Sequence, residues 1–271
     1  MSTVQTDAGP IQGSTSRAFD MLGGTPLLWR LALLAIFCAA WEIAGRTNFN
    51  WAFPTFFETM AALWSMLSDG SMFAAYGRTL DPLVIGLVIS LTIGVGAGVL
   101  MGLRKDAEWI TLPVFITMQA APIAALIPLI TFVYGIGLTS KVLAVCMLAM
   151  PVIAINSCKA VRNVPPSLLD MNDSVMGSKS QQVFKIILPT SSPMMFAGIR
   201  PGVAEGFSGV VLAEMLITPT GIGDLITFNR SIAKFDYVYA AIFSIVAFAV
   251  ISVSLLHRLE TAIFRPEKRG S

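Results

Sequence analysis

Charged residues are scarce in this 271-residue chain, where Asp, Glu, Lys and Arg make up 13% of the residues, about half the share of an average soluble domain. With 55% hydrophobic residues, the chain cannot hide its apolar surface from water as a soluble fold does. We therefore exclude an ordinary soluble enzyme, a nucleic-acid-binding domain and a disordered chain.

Histidine and cysteine are also rare. The single histidine, His257, excludes a multi-histidine metal site. The three cysteines, Cys38, Cys146 and Cys158, have neither the even number nor the short spacing of a disulfide framework or a zinc site. We expect no bound metal, and we interpret the cysteines as small apolar packing residues.

The short motifs of catalysis are missing as well. The chain contains no G-x-x-x-x-G-K-[ST] phosphate loop, no H-E-x-x-H and no G-x-S-x-G. The segment 135–141 has glycines followed by Ser140 and Lys141, but at the wrong spacing for a phosphate loop. We expect a non-catalytic chain that binds no cofactor of its own.

Long apolar runs are what the chain has instead. Six of them cover residues 27–45, 82–103, 109–134, 142–156, 193–217 and 237–256. A membrane-spanning helix needs about 20 mainly apolar residues. The runs predict an all-α membrane protein with about six transmembrane helices within residues 26–256. Three prolines in the third run, Pro113, Pro122 and Pro128, predict a bent or broken span.

The positive charges predict the orientation. If the N-terminus is inside, the inside segments hold twelve Lys and Arg residues and the outside segments hold five, as the positive-inside rule requires. Both tails, 1–25 and 257–271, and the polar loop 157–192 are then predicted to be cytoplasmic. A membrane-surface amphipathic helix at about 54–68 is predicted to be periplasmic.

Small residues recur every four positions in the second run. They form one ridge on a helix, where another helix can approach closely. The predicted helix-packing residues are Gly86, Ser90, Gly94, Gly98 and Gly102.

Two acidic residues, Glu205 and Glu214, lie within the fifth run. Carboxylates are costly inside a membrane and usually face a cavity or a partner. Glu214 is open to two interpretations, either bordering a substrate gate or making a structural hydrogen bond or ion pair. Glu205 is a candidate partner for Arg200 or for a group on another span, and Arg200 can instead reach the cytoplasmic interface.

The polar loop carries a recognisable motif. Its Leu168-Leu169-Asp170, Gly177-Ser178 and Ile186-Ile187-Leu188-Pro189 resemble the EAA loop of bacterial ABC-importer permeases. Asp170 stands where that family has Glu, and Met171 and Asn172 replace the two alanines. Gly177 lies one position late. The segments 119–129, 134–137, 196–201, 213–215 and 220–223 resemble those of the sulfonate/taurine/nitrate permease subfamily.

The resemblance covers the chain from about residue 54 to the sixth run. It implies a type I ABC-importer permease in a bacterial inner membrane, moving a small anion by alternating access. The implied partners are a second permease subunit in a homodimer, two ATPase subunits that hold ATP and Mg, a periplasmic or lipid-anchored binding protein, and membrane lipid. The implied ATPase-coupling residues are Asp170, Met171, Asn172, Asp173, Met176, Gly177, Ser178, Lys179, Leu188 and Pro189.

Residues of the bent third run and the glycine-containing fifth run are candidates to line the transport pathway. The candidates are Gln119, Pro122, Pro128, Gly209 and Glu214. Two alternatives to an ATP-driven importer remain open at this point: an ATP-independent secondary transporter or channel, and a membrane scaffold whose loop recruits a soluble partner.

Overall fold

The computed structural model describes residues 26–47, 51–217 and 220–264, most of them in α-helices. The chain divides into two compact units, Met1–Glu58 and Thr59–Ser271. The helices are α1 (Pro26–Arg46), α2 (Phe56–Ser68), α3 (Ser71–Leu103), α4 (Lys105–Ala120), α5 (Ile123–Tyr134), α6 (Leu138–Arg162), α7 (Pro166–Ser174), α8 (Lys179–Gln181), α9 (Leu188–Leu216), α10 (Ile222–Ser231) and α11 (Phe235–Phe264). A π-helical segment, Gln182–Ile187, joins α8 to α9.

In the first unit, the segment after α1 folds back onto the end of this helix. The indole N–H of Trp41 donates a hydrogen bond to the carbonyl oxygen of Pro54, at 3.1 Å. Gly45 is needed here, because a methyl group on it would lie 2.7 Å from the Cα atom of Thr55. A ring contact between Trp41 and Phe56 adds to the attachment.

Helix α6 lies at the centre of the second unit, between α3 and α9. Along α3, Gly86 faces Val145 and Gly102 faces Val161, so α3 and α6 run in the same direction. Along α9, Gly209 faces Ala144 and Gly198 faces Asn156, so α9 runs against α6.

The ridge of small residues on α3 lies against α6. Ser90 is fully buried. A methyl group on Gly86 would lie 2.6 Å from Cβ of Val145, and one on Gly98 would lie 2.5 Å from the carbonyl oxygen of Ala154. Gly94 and Gly102 make similarly close approaches to Ile153 and Val161. The two backbones therefore approach closely only because these positions lack side chains.

The third apolar run is broken in two. Helices α4 and α5 bend by 102° at residues 121 and 122. Pro122 has no N–H group for a helix, and it forces the preceding residue, Ala121, into extended geometry with a ψ of 133°. Pro113 and Pro128 are accommodated inside α4 and α5.

Among the residues that the structure describes, three helices are long and apolar enough to cross a membrane: Ser71–Leu103, Leu138–Arg162 and Phe235–Ala262. The bent pair α4 and α5 makes a fourth if it counts as one span. Helix α9 has 29 residues, but Arg200, Glu205 and Glu214 interrupt its apolar sequence.

Several helices extend beyond the apolar runs. Helix α3 begins at Ser71 rather than at Pro82, because its polar residues Arg78 and Asp81 are exposed on one side of a continuing helix. Residues 218–236 were expected to be a loop, yet α10 lies within them. The predicted loop 157–192 is shorter, because α6 extends to Arg162 and α9 starts at Leu188. We call the remaining segment, 163–187, the knob.

The amphipathic helix lies where it was expected, as α2. Its buried residues are Thr59, Ala62 and Met66. Leu63 and Leu67 pack beside them, whereas Trp64, which shares their predicted apolar face, is 74% exposed. The turn after α2 is tied by Asp69, whose carboxylate accepts a hydrogen bond from the backbone N–H of Ser71 at 2.8 Å. Hydrogen bonds from Ser71 lower the pKa of Asp69.

Replacing Gly98 by Ala tests the contact between α3 and α6. The added methyl group would press on the carbonyl oxygen of Ala154, and overpacking of this kind costs about 1–3 kcal/mol. We expect Gly98→Ala to lower the thermal midpoint of the purified protein in detergent. The matched control is Gly96→Ala on the same helix, where a methyl group meets nothing within 4 Å. An equal loss of stability in both variants would contradict the close contact.

Candidate functional site

The knob consists of two helical arms joined by a tight turn. Helix α7 forms the first arm and begins with Pro166. Met176 adopts a φ of 54° at the turn. The second arm starts with a capping box, in which Ser178 Oγ accepts from the N–H of Gln181 and the Gln181 side chain accepts from the N–H of Ser178. The sequence of the turn therefore stops one helix and starts the next.

The tip of the knob is apolar and open. Met171, Val175 and Met176 are 55%, 74% and 94% exposed. Asp170, Asp173, Ser178 and Lys179 surround them and are also exposed. The Nζ atom of Lys179 lies 3.9 Å from a carboxylate oxygen of Asp173. An apolar tip with a charged rim is typical of a surface that another protein covers.

Asn172 and Gly177 hold the turn from inside. The side-chain amide of Asn172 donates to the carbonyl oxygen of Gly177 at 3.2 Å, and the N–H of Gly177 donates to the carbonyl oxygen of Asn172 at 2.8 Å. Asn172 is buried. These two residues shape the tip. Val175 also belongs to the tip, although it is not among the implied coupling residues. The sequence does carry a signal for Val175, because this residue is apolar and lies four positions after Met171 in a polar loop.

The motif's last two residues lie outside the knob. Leu188 and Pro189 form the first turn of α9. Leu188 packs against the buried cluster that contains Ala160 and Val161 of α6. The second arm therefore passes through the π-helical segment directly into a long helix, with no loop between them.

A buried polar cluster joins four elements at the opposite end of α3, α6 and α9. Glu214 on α9 is 1% exposed, and Lys141 on α6 is 5% exposed. The Nζ atom of Lys141 lies 3.6 Å from Oε1 of Glu214 and donates to Oγ1 of Thr220 at 2.5 Å. A buried carboxylate needs such a counter-charge.

Thr79 and the start of α10 complete this cluster. The hydroxyl of Thr79 and the N–H of Gly223 both donate to Oε2 of Glu214 at 3.0 Å. The N–H of Ile222 donates to Oγ1 of Thr79 at 2.9 Å. Gly221, at a φ of 81°, leaves no room for a side chain beside the carboxylate. Glu214 thus makes the structural ion pair that was one of its two interpretations.

Comparison with known proteins gives the family. The family of binding-protein-dependent transport system inner membrane components matches residues 90–265. This chain belongs to that family. It is therefore a multi-pass membrane permease and the transmembrane subunit of an ABC importer.

Individual relatives agree with this assignment. The permease is 24% identical to the putative aliphatic sulfonates transport permease protein SsuC of Bacillus subtilis, over 87% of this chain and 86% of SsuC. It is 28% identical to the riboflavin transport system permease protein RibX of Chloroflexus aurantiacus, over 88% of each chain. It is 26% identical to the taurine transport system permease protein TauC of Escherichia coli, over 66% of each chain.

Solved structures show the same fold. A structure of the MetNI methionine ABC transporter in an inward-facing conformation matches 70% of this chain and 92% of its own, with a TM-score of 0.56 and 18% identity. A crystal structure of an amino acid ABC transporter with histidines matches 75% and 98%, with a TM-score of 0.59 and 14% identity.

The candidate pathway residues of the permease fall into two groups. Gln119, Pro122 and Pro128 are exposed and lie on either side of the break between α4 and α5. Gly209 and Glu214 are buried on α9. A methyl group on Gly209 would lie 2.9 Å from the carbonyl oxygen of Ala144. The structure therefore leaves the first three exposed and places the other two in the contacts of α9 with its neighbours.

The remaining charges of α9 have other partners than expected. Arg200 forms an ion pair with Glu260 on α11, at 3.0 Å, and its guanidinium lies 3.0 Å from Nδ1 of His257. The interpretation in which Arg200 pairs with Glu205 is wrong, since Glu205 is exposed on the helix surface. The sequence did not predict these partners, because Glu260 and His257 belong to α11, which is separated from α9 by α10.

Removing one member of the Lys141–Glu214 pair leaves a buried charge without compensation. We expect Lys141→Met or Glu214→Gln alone to destabilise the permease by about 3–5 kcal/mol, and the double variant to recover most of the loss. The measurement is the thermal midpoint of the purified permease, with Glu205→Gln as the control at an exposed carboxylate of the same helix. Losses in the double variant that equal the sum of the two single losses would mean that the groups do not interact.

Proposed function

We propose that the knob docks the ATPase subunits and that the permease moves a small organic or inorganic anion by alternating access. The observation that carries the proposal is the apolar tip of Met171, Val175 and Met176, exposed on a structured loop that continues directly into α9. Two separate ATPase subunits would hold the ATP and Mg. This chain would supply the surface that the ATPase subunits contact and move.

The proposed membrane arrangement has six spans: α1, α3, the bent pair α4–α5, α6, α9 and α11. Both termini and the knob face the cytoplasm, while α2 and α10 lie on the periplasmic side. The distribution of Lys and Arg supports this orientation. The proposed location is a bacterial inner membrane, and the description of the matched family as inner membrane components supports it.

The proposed assembly contains two copies of this permease, and the pathway lies between them. The exposed residues Gln119, Pro122 and Pro128 would then face the pathway, and the break at Pro122 would allow α5 to move relative to α4. Gly209 and Glu214 would not line the pathway themselves but would hold α9 against α6. A periplasmic or lipid-anchored binding protein would deliver the substrate and supply most of the selectivity.

The proposed substrate class is a sulfonate such as taurine, or a similarly small anion such as nitrate. The similarity to SsuC and TauC supports it. The similarity to RibX, and to the formylaminopyrimidine transport permease protein ThiX of Halalkalibacterium halodurans, makes an uncharged heterocycle the competing class.

The docking proposal is tested by co-purification of the tagged permease with its ATPase. We expect Met171→Asp/Met176→Asp to lose the ATPase while the permease itself remains folded and dimeric. A charge at an apolar contact costs about 2 kcal/mol or more, which is about 30-fold in affinity. The matched control is Ile136→Asp/Ile232→Asp, which changes two exposed apolar residues at the opposite end of the spans. Retention of the ATPase by the knob variant would refute the docking surface.

The substrate proposal is tested by uptake into proteoliposomes that contain the permease, its ATPase and its binding protein. We expect ATP-dependent uptake of taurine or an alkanesulfonate and no uptake of riboflavin. Uptake that persists without ATP would favour a secondary transporter instead. Uptake of riboflavin alone would replace the anion with a heterocycle and leave the docking proposal intact.

A further inference from the structure

A cavity of about 810 Å³ opens between the knob and the adjacent ends of α3 and α6. Its walls come from the end of α3, the start of α4, the end of α6 and both arms of the knob. A volume of this size lies in the range of ligand-binding pockets. The proposed docking of the ATPase subunits does not involve this cavity, because the exposed tip of the knob is not among its lining residues.

The polar side of the cavity is basic. Arg104, Lys105, Arg162 and Lys179 line it, and no carboxylate is among its lining residues. Arg162 pairs with Glu108, and Lys179 is loosely paired with Asp173. Within the described parts of the chain, the side chains of Arg104 and Lys105 have no ion pair or hydrogen bond. Two cations therefore remain available to an anion.

Apolar residues also line the cavity. Val161 and Ile187 are buried, and Leu169 and Val183 are half-buried. They belong to a packed cluster that joins the knob to α6. A ligand that contacts both the basic and the apolar lining residues has an anionic end and a hydrocarbon end.

The position of the cavity fits such a ligand. Arg104 follows the last residue of the candidate span Ser71–Leu103, and Arg162 is the last residue of the candidate span Leu138–Arg162. Arg104 also directly follows the apolar run 82–103, and in the proposed orientation it lies at the cytoplasmic end of that run, where lipid headgroups are expected. Basic pockets between spans on the cytoplasmic side are suited to anionic headgroups.

We propose that this cavity binds an anionic phospholipid of the cytoplasmic leaflet. Its phosphate lies against Arg104 and Lys105, and its acyl chains begin on the surface of Val161, Val183 and Ile187. The proposal rests on the cytoplasmic orientation proposed above. Since Leu169 and Lys179 belong to the knob, a bound lipid would contact the knob and the ends of the spans at once.

The experiment measures lipid binding to the full-length permease by native mass spectrometry. The probes are dioctanoyl phosphatidylglycerol, dioctanoyl phosphatidylcholine and inorganic phosphate. We expect wild type to bind phosphatidylglycerol and Arg104→Gln/Lys105→Gln to bind it about 25-fold more weakly, since a basic side chain near an anionic surface contributes about fivefold. Arg104→Lys keeps the charge and should keep most of the binding.

The matched control is Arg78→Gln/Arg230→Gln, which removes two exposed cations at the opposite end of the spans and should bind the lipid as wild type does. Equal binding of phosphatidylcholine, or unchanged binding by Arg104→Gln/Lys105→Gln, would overturn the proposal. Binding of inorganic phosphate as tight as that of phosphatidylglycerol would replace the lipid with a soluble anion. Loss of ATPase co-purification in this variant with unchanged lipid binding would assign the cavity to the ATPase surface. None of these outcomes depends on the result for Met171→Asp/Met176→Asp.

Discussion

The close approach of α3 and α9 to the two sides of α6 is the constraint on which the rest of the structure depends. Helices in a membrane gain little from the hydrophobic effect when they associate, so they rely on packing and polar contacts between them. Gly98 and Gly209 provide the packing by leaving space for the carbonyl groups of α6. The polar cluster around Glu214 lies at one end of this assembly, and the knob lies at the other.

Patterns within short stretches of sequence predicted much of this arrangement. Apolar runs located the main helices, Pro122 located the break, and the four-residue spacing of small residues located the face of α3 that meets α6. Such patterns record local periodicity and backbone chemistry. They do not record which distant groups meet, so the pairing of Glu214 with Lys141, and of Arg200 with Glu260, required the structure. Helix α10 was missed because its apolar residues are few.

The candidate site, too, was predicted from the sequence only in part. The motif predicted the turn and the exposed rim of the knob. Gly177 is a local signal for the end of one helix, and Ser178 is a local signal for the start of the next. It did not predict that Leu188 and Pro189 belong to α9, because an apolar sequence is compatible with either a loop end or a helix start. The pathway candidates were chosen because they lie in the proline-bent third run and the glycine-containing fifth run, and this criterion does not distinguish the exposed Pro128 from the buried Gly209.

The buried cluster also has a consequence for how the chain is made. Lys141 and its hydroxyl partner Thr220 are 79 positions apart, and Thr79 and Glu214 are 135 positions apart. During synthesis, α3 and α6 emerge well before α9, so Lys141 must wait for its counter-charge. A lone ammonium is costly within hydrocarbon. We therefore expect that end of α6 to stay near the membrane surface until α9 is inserted and brings Glu214 to Lys141.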